Sequence, residues 1–122
     1  MMAVKVLAID DSETMLNMVK QTLEMGGYEV VTAKDGKEGV DRYSDSNPDI
    51  IITDINMPVM DGITFINEVR KLNGEIPIIT LTTESEDKMK QKGFEAGANG
   101  WIVKPFRPAQ FLDIVKQVLS DD

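Results

Sequence analysis

Five residues that could carry chemistry each follow a short apolar run of the sequence: Asp10, Asp11, Asp54, Thr82 and Lys104. The chain contains no cysteine and no histidine, so thiolate nucleophiles, His-Cys zinc sites and histidine-based triads are excluded. Carboxylates alone favour Mg²⁺, Mn²⁺ or Ca²⁺, and a site with few protein ligands suits Mg²⁺ with several waters. The three aspartates therefore predict a site for a hard divalent cation, provided that the fold brings them together.

Lys104 and Thr82 could act at the same site. A lysine beside three carboxylates could be only a counter-ion, or it could clamp a transferring phosphoryl group that a metal ion also neutralises. The Thr82 hydroxyl could hydrogen-bond the same group, or the residue could simply pack in a strand. Any one of the five positions alone is more simply a turn, cap or packing residue. Their combination favours a single functional site.

The elements that must position these residues follow from the apolar pattern. Four apolar runs bounded by turn residues predict strands at Val4–Ile9, Ile50–Thr53, Ile76–Thr82 and Trp101–Val103, and a weaker run at Glu29–Ala33 fits an edge strand. These runs are short and continuous, as in parallel strands covered on both faces. Helices are predicted at Glu13–Met25 after a Ser12 cap, from Asp35 or Gly36 to about Ser44, from an Asp61 cap to Leu72, after Ser85 as far as Ala96, and from near Pro108 through Leu119.

Strands that alternate with helices of this length predict an α/β protein of (βα)5 type with a parallel sheet. In an open α/β sheet, ligands bind at the carboxyl ends of the strands, where the strand order reverses. If strands one and three are neighbours at that point, Asp10, Asp11 and Asp54 converge. Two carboxylates 4 Å apart repel by about 4 kcal/mol at an effective dielectric constant of about 20. A bound cation is the simplest remedy for this repulsion.

Length and charge limit the class of protein. The 122 residues predict one domain, residues 1–122, with no separate output domain. The 21 acidic and 13 basic residues give a formal net charge of -8, which argues against nucleic acids and anionic membranes as partners. No apolar run approaches the length of a membrane span, and the start of the chain leaves no room for a signal peptide. We therefore expect a cytoplasmic protein whose partners are proteins or cations.

The first predicted helix carries three methionines, Met15, Met18 and Met25. They could form an adaptable docking surface for a helix of a partner protein. Methionine at helical spacing is more often a filler of core gaps, so we expect these side chains to lie mainly in the core.

The functional residues and their neighbours resemble the receiver domain of two-component response regulators, most closely the stand-alone CheY-type chemotaxis regulators. The resemblance covers residues 3–119, and the matching motifs are Asp10-Asp11, Thr53-Asp54-Ile55-Asn56-Met57-Pro58-Val59-Met60-Asp61-Gly62, Leu81-Thr82-Thr83-Glu84 and Lys104-Pro105-Phe106. The resemblance implies a flavodoxin-like, doubly wound, parallel five-stranded sheet with strand order 2-1-3-4-5. This order is taken from the family and not from the pattern of this sequence.

The resemblance also implies a role for each residue of the site. Asp54 would be the nucleophile that accepts a phosphoryl group from the phosphohistidine of a kinase. Lys104 would contact the phosphoryl oxygens, and Thr82 would move to hydrogen-bond them. The ligands of Mg²⁺, or of Mn²⁺ in its place, would be four oxygen donors: Asp10, Asp11, Asp54 and the backbone carbonyl of Asn56.

Further roles are implied for residues around this centre. Trp101 stands where the family usually has Tyr or Phe, and would turn inward when Thr82 moves. It could instead be a packing residue or a half-buried anchor at an interface. Asn56, Thr83 and Glu84 would tune the lifetime of the phosphate, and Thr83 stands where a smaller residue is commoner.

The function implied is that of a phosphorylation-activated chemotaxis regulator, a signalling switch that catalyses only its own phosphoryl transfer and dephosphorylation. Its partners would be a chemotaxis-type histidine kinase, a flagellar motor switch protein and a phosphatase, and the chain would be a monomer. The added charge of the phosphate would bias a two-state element. The resemblance further implies that the readout surface is formed by helix four, strand five and helix five. The alternative in the same fold is a single-domain phosphorelay intermediate or phosphate sink that does not act on the motor.

Two other classes of protein fit the sequence less well. Metal-dependent phosphatases with an aspartyl nucleophile usually have a second aspartate two residues later, where this chain has Asn56. A flavodoxin-like FMN carrier needs a first loop that cradles phosphate with hydroxyl and N–H groups. Asp10 and Asp11 would repel that phosphate in the absence of a metal ion.

Overall fold

The predicted strands form one parallel sheet in the computed structural model of the chain, which describes residues 3–57, 59–83 and 87–120. The strands are β1 (Lys5–Ile9), β2 (Glu29–Ala33), β3 (Ile50–Asp54), β4 (Ile78–Thr83) and β5 (Gly100–Lys104). They lie in the order β2-β1-β3-β4-β5, and every neighbouring pair is parallel. The predicted doubly wound, flavodoxin-like α/β fold with strand order 2-1-3-4-5 is confirmed.

Helices cover both faces of this sheet: α1 (Glu13–Met25), α2 (Gly36–Ser46), α3 (Gly62–Leu72), α4 (Asp87–Ala96) and α5 (Pro108–Ser120). On one face, Leu23 of α1 and Phe111 of α5 are fully buried against the sheet. On the other face, Phe65 of α3 is fully buried, with α2 and α4 on either side. Within the described residues, none of the helices is long and apolar enough to span a membrane.

Three of the helices begin at capping residues, as predicted. The side chains of Ser12, Asp35 and Asp61 each accept a hydrogen bond from the backbone N–H three residues later, at 3.2, 2.8 and 2.8 Å. These bonds satisfy N–H groups that a helix start leaves without a partner. Ser85, predicted to precede the fourth helix, lies outside the described residues.

Strand boundaries differ from the prediction by up to two residues. β4 begins at Ile78 and not at Ile76, because Pro77 has no N–H and the Ile76 N–H donates to the side chain of Asn73 at 3.0 Å. β5 extends one residue further at each end than predicted, since Gly100 and Lys104 also pair with β4. Lys104 is therefore the last residue of the strand.

The methionines of α1 divide between core and surface. Met15 packs against the core, whereas Met18 is 46% exposed and Met25 is 75% exposed. The prediction of a mainly core position is wrong for these two. The stripe of α1 that meets the sheet is narrow and is occupied by Val19 and Leu23, which are completely buried.

Arg70 joins the C-terminal ends of α3 and α4. Its half-buried guanidinium donates to the carbonyl of Gly97 from Nε and Nη2, at 3.1 and 2.7 Å. It also donates to the Asn73 carbonyl and to the Asn99 side chain, both at 3.1 Å. Gly97 has φ of +120°, and a Cβ there would press against Arg70. One side chain therefore satisfies carbonyls at two helix ends.

Replacing Arg70 by alanine is expected to lower the free energy of unfolding by about 2 kcal/mol, because it removes hydrogen bonds to a charged donor and leaves carbonyls unpaired. Arg70→Lys should recover only part of this loss, since an ammonium lacks the planar fork of donors. Urea unfolding of the three proteins measures both effects. Full recovery by lysine would show that charge alone matters and would contradict this assignment.

Candidate functional site

Three strands end at the same edge of the sheet and carry the predicted residues there. Asp10 follows β1 directly, Asp54 is the last residue of β3, and Lys104 is the last residue of β5. β1 and β3 are neighbours at the centre of the sheet, so the two carboxylates face each other. The convergence predicted from the strand order is present in the structure.

Lys104 links the two buried carboxylates. Its ammonium lies 3.0 Å from Oδ2 of Asp10 and 3.3 Å from Oδ2 of Asp54. The residues Asp10 and Asp54 are 1% and 8% exposed. The second oxygen of each accepts a backbone N–H: Asp10 Oδ1 from Ser12 at 2.9 Å, and Asp54 Oδ1 from Ile55 at 2.8 Å. Buried charges of this kind persist only with such partners.

Asp54 has an unusual protonation equilibrium. Burial, and then the neighbouring Asp10 carboxylate, raise the pKa of Asp54 from 3.8 to about 6, although Lys104 and the Ile55 N–H act in the opposite direction. Desolvation and a like charge both disfavour the ionised form. Asp54 is therefore still ionised in most molecules near neutral pH, but its charge is held at a cost to the fold.

The acidic cluster fits a divalent metal ion. One carboxylate oxygen from each of Asp10, Asp11 and Asp54 lies within 4.8 Å of the others. Asp11 is exposed, which leaves the cluster open to solvent on one side. A donor set made only of carboxylate oxygens suits Mg²⁺ or Mn²⁺, and the open side leaves room for coordinated waters.

Thr82 lies in β4 beside this centre and is 3% exposed. Within the described part of the chain, its hydroxyl has no hydrogen-bond partner. Buried hydroxyl groups are nearly always paired, so this unpaired group indicates a site that a ligand could complete. Thr83 and Asn56 are exposed at the same edge of the sheet. Glu84, the third residue predicted to tune phosphate lifetime, lies outside the described residues.

The loop from β3 to α3 is closed tightly beneath Asp54. The Gly62 N–H donates to the Ile55 carbonyl at 2.7 Å, and a Cβ at Gly62 would overlap the Asp54 carbonyl oxygen. Only glycine permits this close approach. The sequence contains Gly62 in the family motif, and the structure supplies the physical reason for it.

Val59 in this loop has a strained backbone. Its φ is +70°, a region that β-branched residues rarely adopt, and its side chain is 78% exposed. Val59→Asn is expected to raise the free energy of unfolding by about 1 kcal/mol, because asparagine tolerates the left-handed conformation and little packing is lost. Val59→Ala removes the β-branch but keeps a Cβ without a side chain suited to the left-handed conformation, so it should gain less stability than Val59→Asn. Thermal unfolding checks both variants, and equal stability for all three proteins would contradict the assignment of strain.

Trp101 lies on the edge strand β5, three residues before Lys104, with 39% of its surface exposed. Its ring contacts Phe94 of α4 edge-on, with centroids 5.3 Å apart, and the Lys90 ammonium lies 5.1 Å from its centroid. Neither Lys90 nor Phe94 is among the residues predicted to act at the site. Their spacing of four residues places them on one face of a helix, but no sequence signal connects that face to Trp101.

Lys104 and Pro105 are joined by a cis peptide bond, which the sequence alone left open. The bond lies at the end of β5, where the loop before α5 begins.

Comparison with known proteins gives a consistent result. A family model described as "Response regulator receiver domain" matches residues 6–116. The chemotaxis response regulator CheY4 of Vibrio cholerae has a structure that is 44% identical in sequence and superimposes with a TM-score of 0.90, over 96% of this chain and 99% of CheY4. The chemotaxis protein CheY of Bacillus subtilis is 35% identical over 98% of this chain and 100% of its own length.

Other relatives carry more than the matched region. The transcriptional regulatory protein PrrA of Mycobacterium tuberculosis is 36% identical over 94% of this chain but only 49% of its own length. The chain therefore spans about half the length of the transcriptional regulators among the curated relatives it matches. It spans nearly the whole length of the chemotaxis proteins.

Proposed function

Because this chain belongs to the response regulator receiver domain family, we propose that it is a switch that accepts a phosphoryl group on Asp54 from the phosphohistidine of a histidine kinase. The observation that carries this proposal is the position of the Asp54 carboxylate at the end of β3, where it contacts the same Lys104 ammonium that contacts Asp10. The pKa of about 6 leaves Asp54 ionised at neutral pH, as a nucleophile must be.

In the proposed transfer, a carboxylate oxygen of Asp54 forms a bond to phosphorus while the bond from phosphorus to the histidine nitrogen breaks. The histidine keeps that electron pair, and the product is an aspartyl phosphate. Lys104 is already within reach of the carboxylate and can neutralise the phosphoryl oxygens. The unpaired Thr82 hydroxyl can then donate a hydrogen bond to one of them.

Asp10, Asp11 and Asp54 would hold Mg²⁺, or Mn²⁺ in its place, together with the backbone carbonyl of Asn56. The metal ion would neutralise charge on the transferring group. The cluster of three carboxylate oxygens within 4.8 Å supports these three ligands. We propose that three further residues tune the lifetime of the phosphate: Asn56, Thr83 and Glu84. Asn56 follows Asp54 by two positions in the sequence, and Thr83 and Glu84 directly follow Thr82.

We further propose that the switch serves chemotaxis as a single-domain monomer, residues 1–122, in the cytoplasm. Its kinase would be of the chemotaxis type, its output partner a flagellar motor switch protein that binds α4, β5 and α5, and a phosphatase would reset it. This part is supported by the CheY relatives, which match over nearly their whole length. Trp101 lies on the proposed output surface and would report its state.

The phosphorylation step is tested with beryllofluoride, which mimics a phosphoryl group on an aspartate. Trp101 is the only tryptophan of the chain, so its fluorescence can be followed while Mg²⁺ and then beryllofluoride are added. We expect a response to beryllofluoride that requires Mg²⁺. Absence of any response, together with no phosphate by mass spectrometry after acetyl phosphate treatment, would overturn the proposed switch.

The output is tested by two assays on the phosphorylated protein. We expect it to bind a peptide from a motor switch protein more tightly than the unphosphorylated protein does. Rapid return of the phosphate to a histidine-containing phosphotransfer domain, without any motor peptide binding, would favour the phosphorelay intermediate or phosphate sink instead. Light scattering with and without beryllofluoride checks that the protein stays a monomer.

A further inference from the structure

The side chain of Trp101 is held against α4 by two contacts from one face of that helix. Phe94 meets the indole ring at an interplanar angle of 85°, which is the edge-to-face arrangement that aromatic pairs prefer. Lys90, four residues earlier, places its ammonium 5.1 Å from the ring centroid, within the range of a cation–π interaction. Both contacts of the indole therefore come from residues one helical turn apart on α4.

The contact between Trp101 and Phe94 lies at the protein surface. Phe94 is 43% exposed and Trp101 is 39% exposed, so neither ring is placed by burial in the main core. Among residues 88–96 of α4, Gly93 is the buried position and lies against Thr80, and Ala96 packs against the core on that face of the sheet. Lys90 and Phe94 therefore hold Trp101 against α4 at the surface of the protein.

Thr82 lies on the same face of the sheet as Trp101, because paired residues of parallel strands and residues two apart share a face. α4 covers this face, since its Gly93 lies against the Thr80 side chain. Register places Thr80 beside Trp101 and Thr82 beside Val103 on the neighbouring strand. The buried Thr82 hydroxyl lacks a partner within the described residues. Loss of the contacts with Lys90 and Phe94 would therefore free the Trp101 side chain on the face of the sheet that also carries this hydroxyl.

We propose that Lys90 and Phe94 form a latch that holds Trp101 in its exposed position against α4, and that phosphorylation must overcome this latch before Trp101 can turn inward. The second half of this statement rests on the proposed function. The latch makes Lys90 and Phe94 positioning residues, since they act through their contacts with Trp101. Weakening the latch should make the switch easier to activate.

The size of the effect follows from the two contacts. Losing an exposed cation–π interaction should lower the beryllofluoride concentration for half-maximal response by about two- to fivefold. Losing the aromatic pair should lower it by about two- to tenfold. Lys90→Met keeps the length of the side chain without its charge, and Phe94→Leu keeps apolar volume without a ring.

Two control variants separate the latch from general effects on α4. Lys90→Arg keeps a cation over the indole and should behave as the wild-type protein does. Lys92→Gln makes the same loss of charge on the same helix, but Lys92 lines the groove between α3 and α4, beside Ile63. This variant should also match the wild type.

The single Trp101 indole gives one N–H signal in a proton–nitrogen NMR spectrum, which reports on the latch without any phosphodonor. We expect this signal to move in Lys90→Met and in Phe94→Leu, but not in the two controls. Beryllofluoride titrations with Mg²⁺, followed by the same signal, then give the half-maximal concentrations.

Three results would decide the proposal. An unmoved indole signal in Lys90→Met and Phe94→Leu would overturn the latch. Half-maximal concentrations equal to that of a responsive wild type would also overturn it, because the contacts would then not oppose activation. If the wild type fails to respond to beryllofluoride while the indole signal moves in the two variants, the holding contact is supported and the proposed function is the part that fails.

Discussion

Replacing Asp54 by asparagine is expected to abolish phosphorylation and, in metal-free protein at about pH 7.5, to raise the free energy of unfolding by about 2 kcal/mol. Asparagine has no nucleophilic carboxylate, so no aspartyl phosphate can form. It also removes a charge that the fold holds at a cost, since burial and Asp10 raise the pKa of Asp54 to about 6. A shift of about two units corresponds to about 3 kcal/mol, reduced here because solvent partly reaches the group.

The stability gain should depend on pH with a defined sign. The pKa of Asp54 is higher in the folded protein, about 6, than its ordinary value of 3.8, so the folded state binds more protons between these values. By linkage, the contribution of Asp54 to stability is complete below about pH 4 and is lost as the pH rises through about 6. The advantage of Asp54→Asn over the wild type should therefore shrink on acidification from about pH 7.5 to about pH 5.

Urea unfolding with a chelator at the two pH values measures this difference. Asp113→Asn, which changes an exposed carboxyl on α5, is the matched control and should show no such trend. Intact mass after treatment with acetyl phosphate and Mg²⁺ checks the loss of phosphorylation. A phosphorylated Asp54→Asn protein would show that another residue accepts the group, and a stability gain independent of pH would contradict the stated cause.

Lys104→Met is expected to lower the free energy of unfolding by about 3 kcal/mol in metal-free protein near neutral pH, and to uncouple phosphorylation from the response of Trp101. The ammonium is the cation that contacts both Asp10 and Asp54, at 3.0 and 3.3 Å. Removing one partner of a buried ion pair leaves an uncompensated buried charge, which is strongly destabilising. Methionine keeps most of the side-chain volume, so lost packing contributes little.

Mg²⁺ should restore much of the stability of Lys104→Met, because the metal ligands remain and a bound cation neutralises the same carboxylates. The double variant Lys104→Met with Asp54→Asn should also recover stability, since one of the two opposed charges is gone. This double-mutant cycle measures the coupling between the two residues. Lys116→Met, at an exposed position on α5, is the control for loss of a lysine.

Two outcomes would contradict this account of Lys104. Wild-type stability of Lys104→Met without metal would mean that the carboxylates are neutralised in another way. A normal Trp101 response to beryllofluoride in Lys104→Met would mean that the lysine does not connect the phosphate to the switch.

Local signals in the sequence were sufficient for most of the elements. α1 was predicted at Glu13–Met25, its observed bounds, because a capping serine and a Gly-Gly pair act on their immediate neighbours. The start of β4 was predicted two residues too early. Ile76 is apolar and so fits a strand pattern, but its N–H donates to the Asn73 side chain and not to a neighbouring strand. The exposed positions of Met18 and Met25 were missed for a related reason. Periodicity identifies the apolar side of a helix but not the width of the surface that covers it.

By itself, the sequence determined the types of group in the site and the ends of strands at which they lie, since both depend on residues close together in the chain. It did not determine which strands are neighbours, and the strand order came from the family resemblance. Only the tertiary structure decided that Lys104 contacts both Asp10 and Asp54, that the pKa of Asp54 is raised, and that Lys90 and Phe94 meet Trp101. These properties depend on distances and burial between segments far apart in the chain, and electrostatic and packing energies change steeply with both.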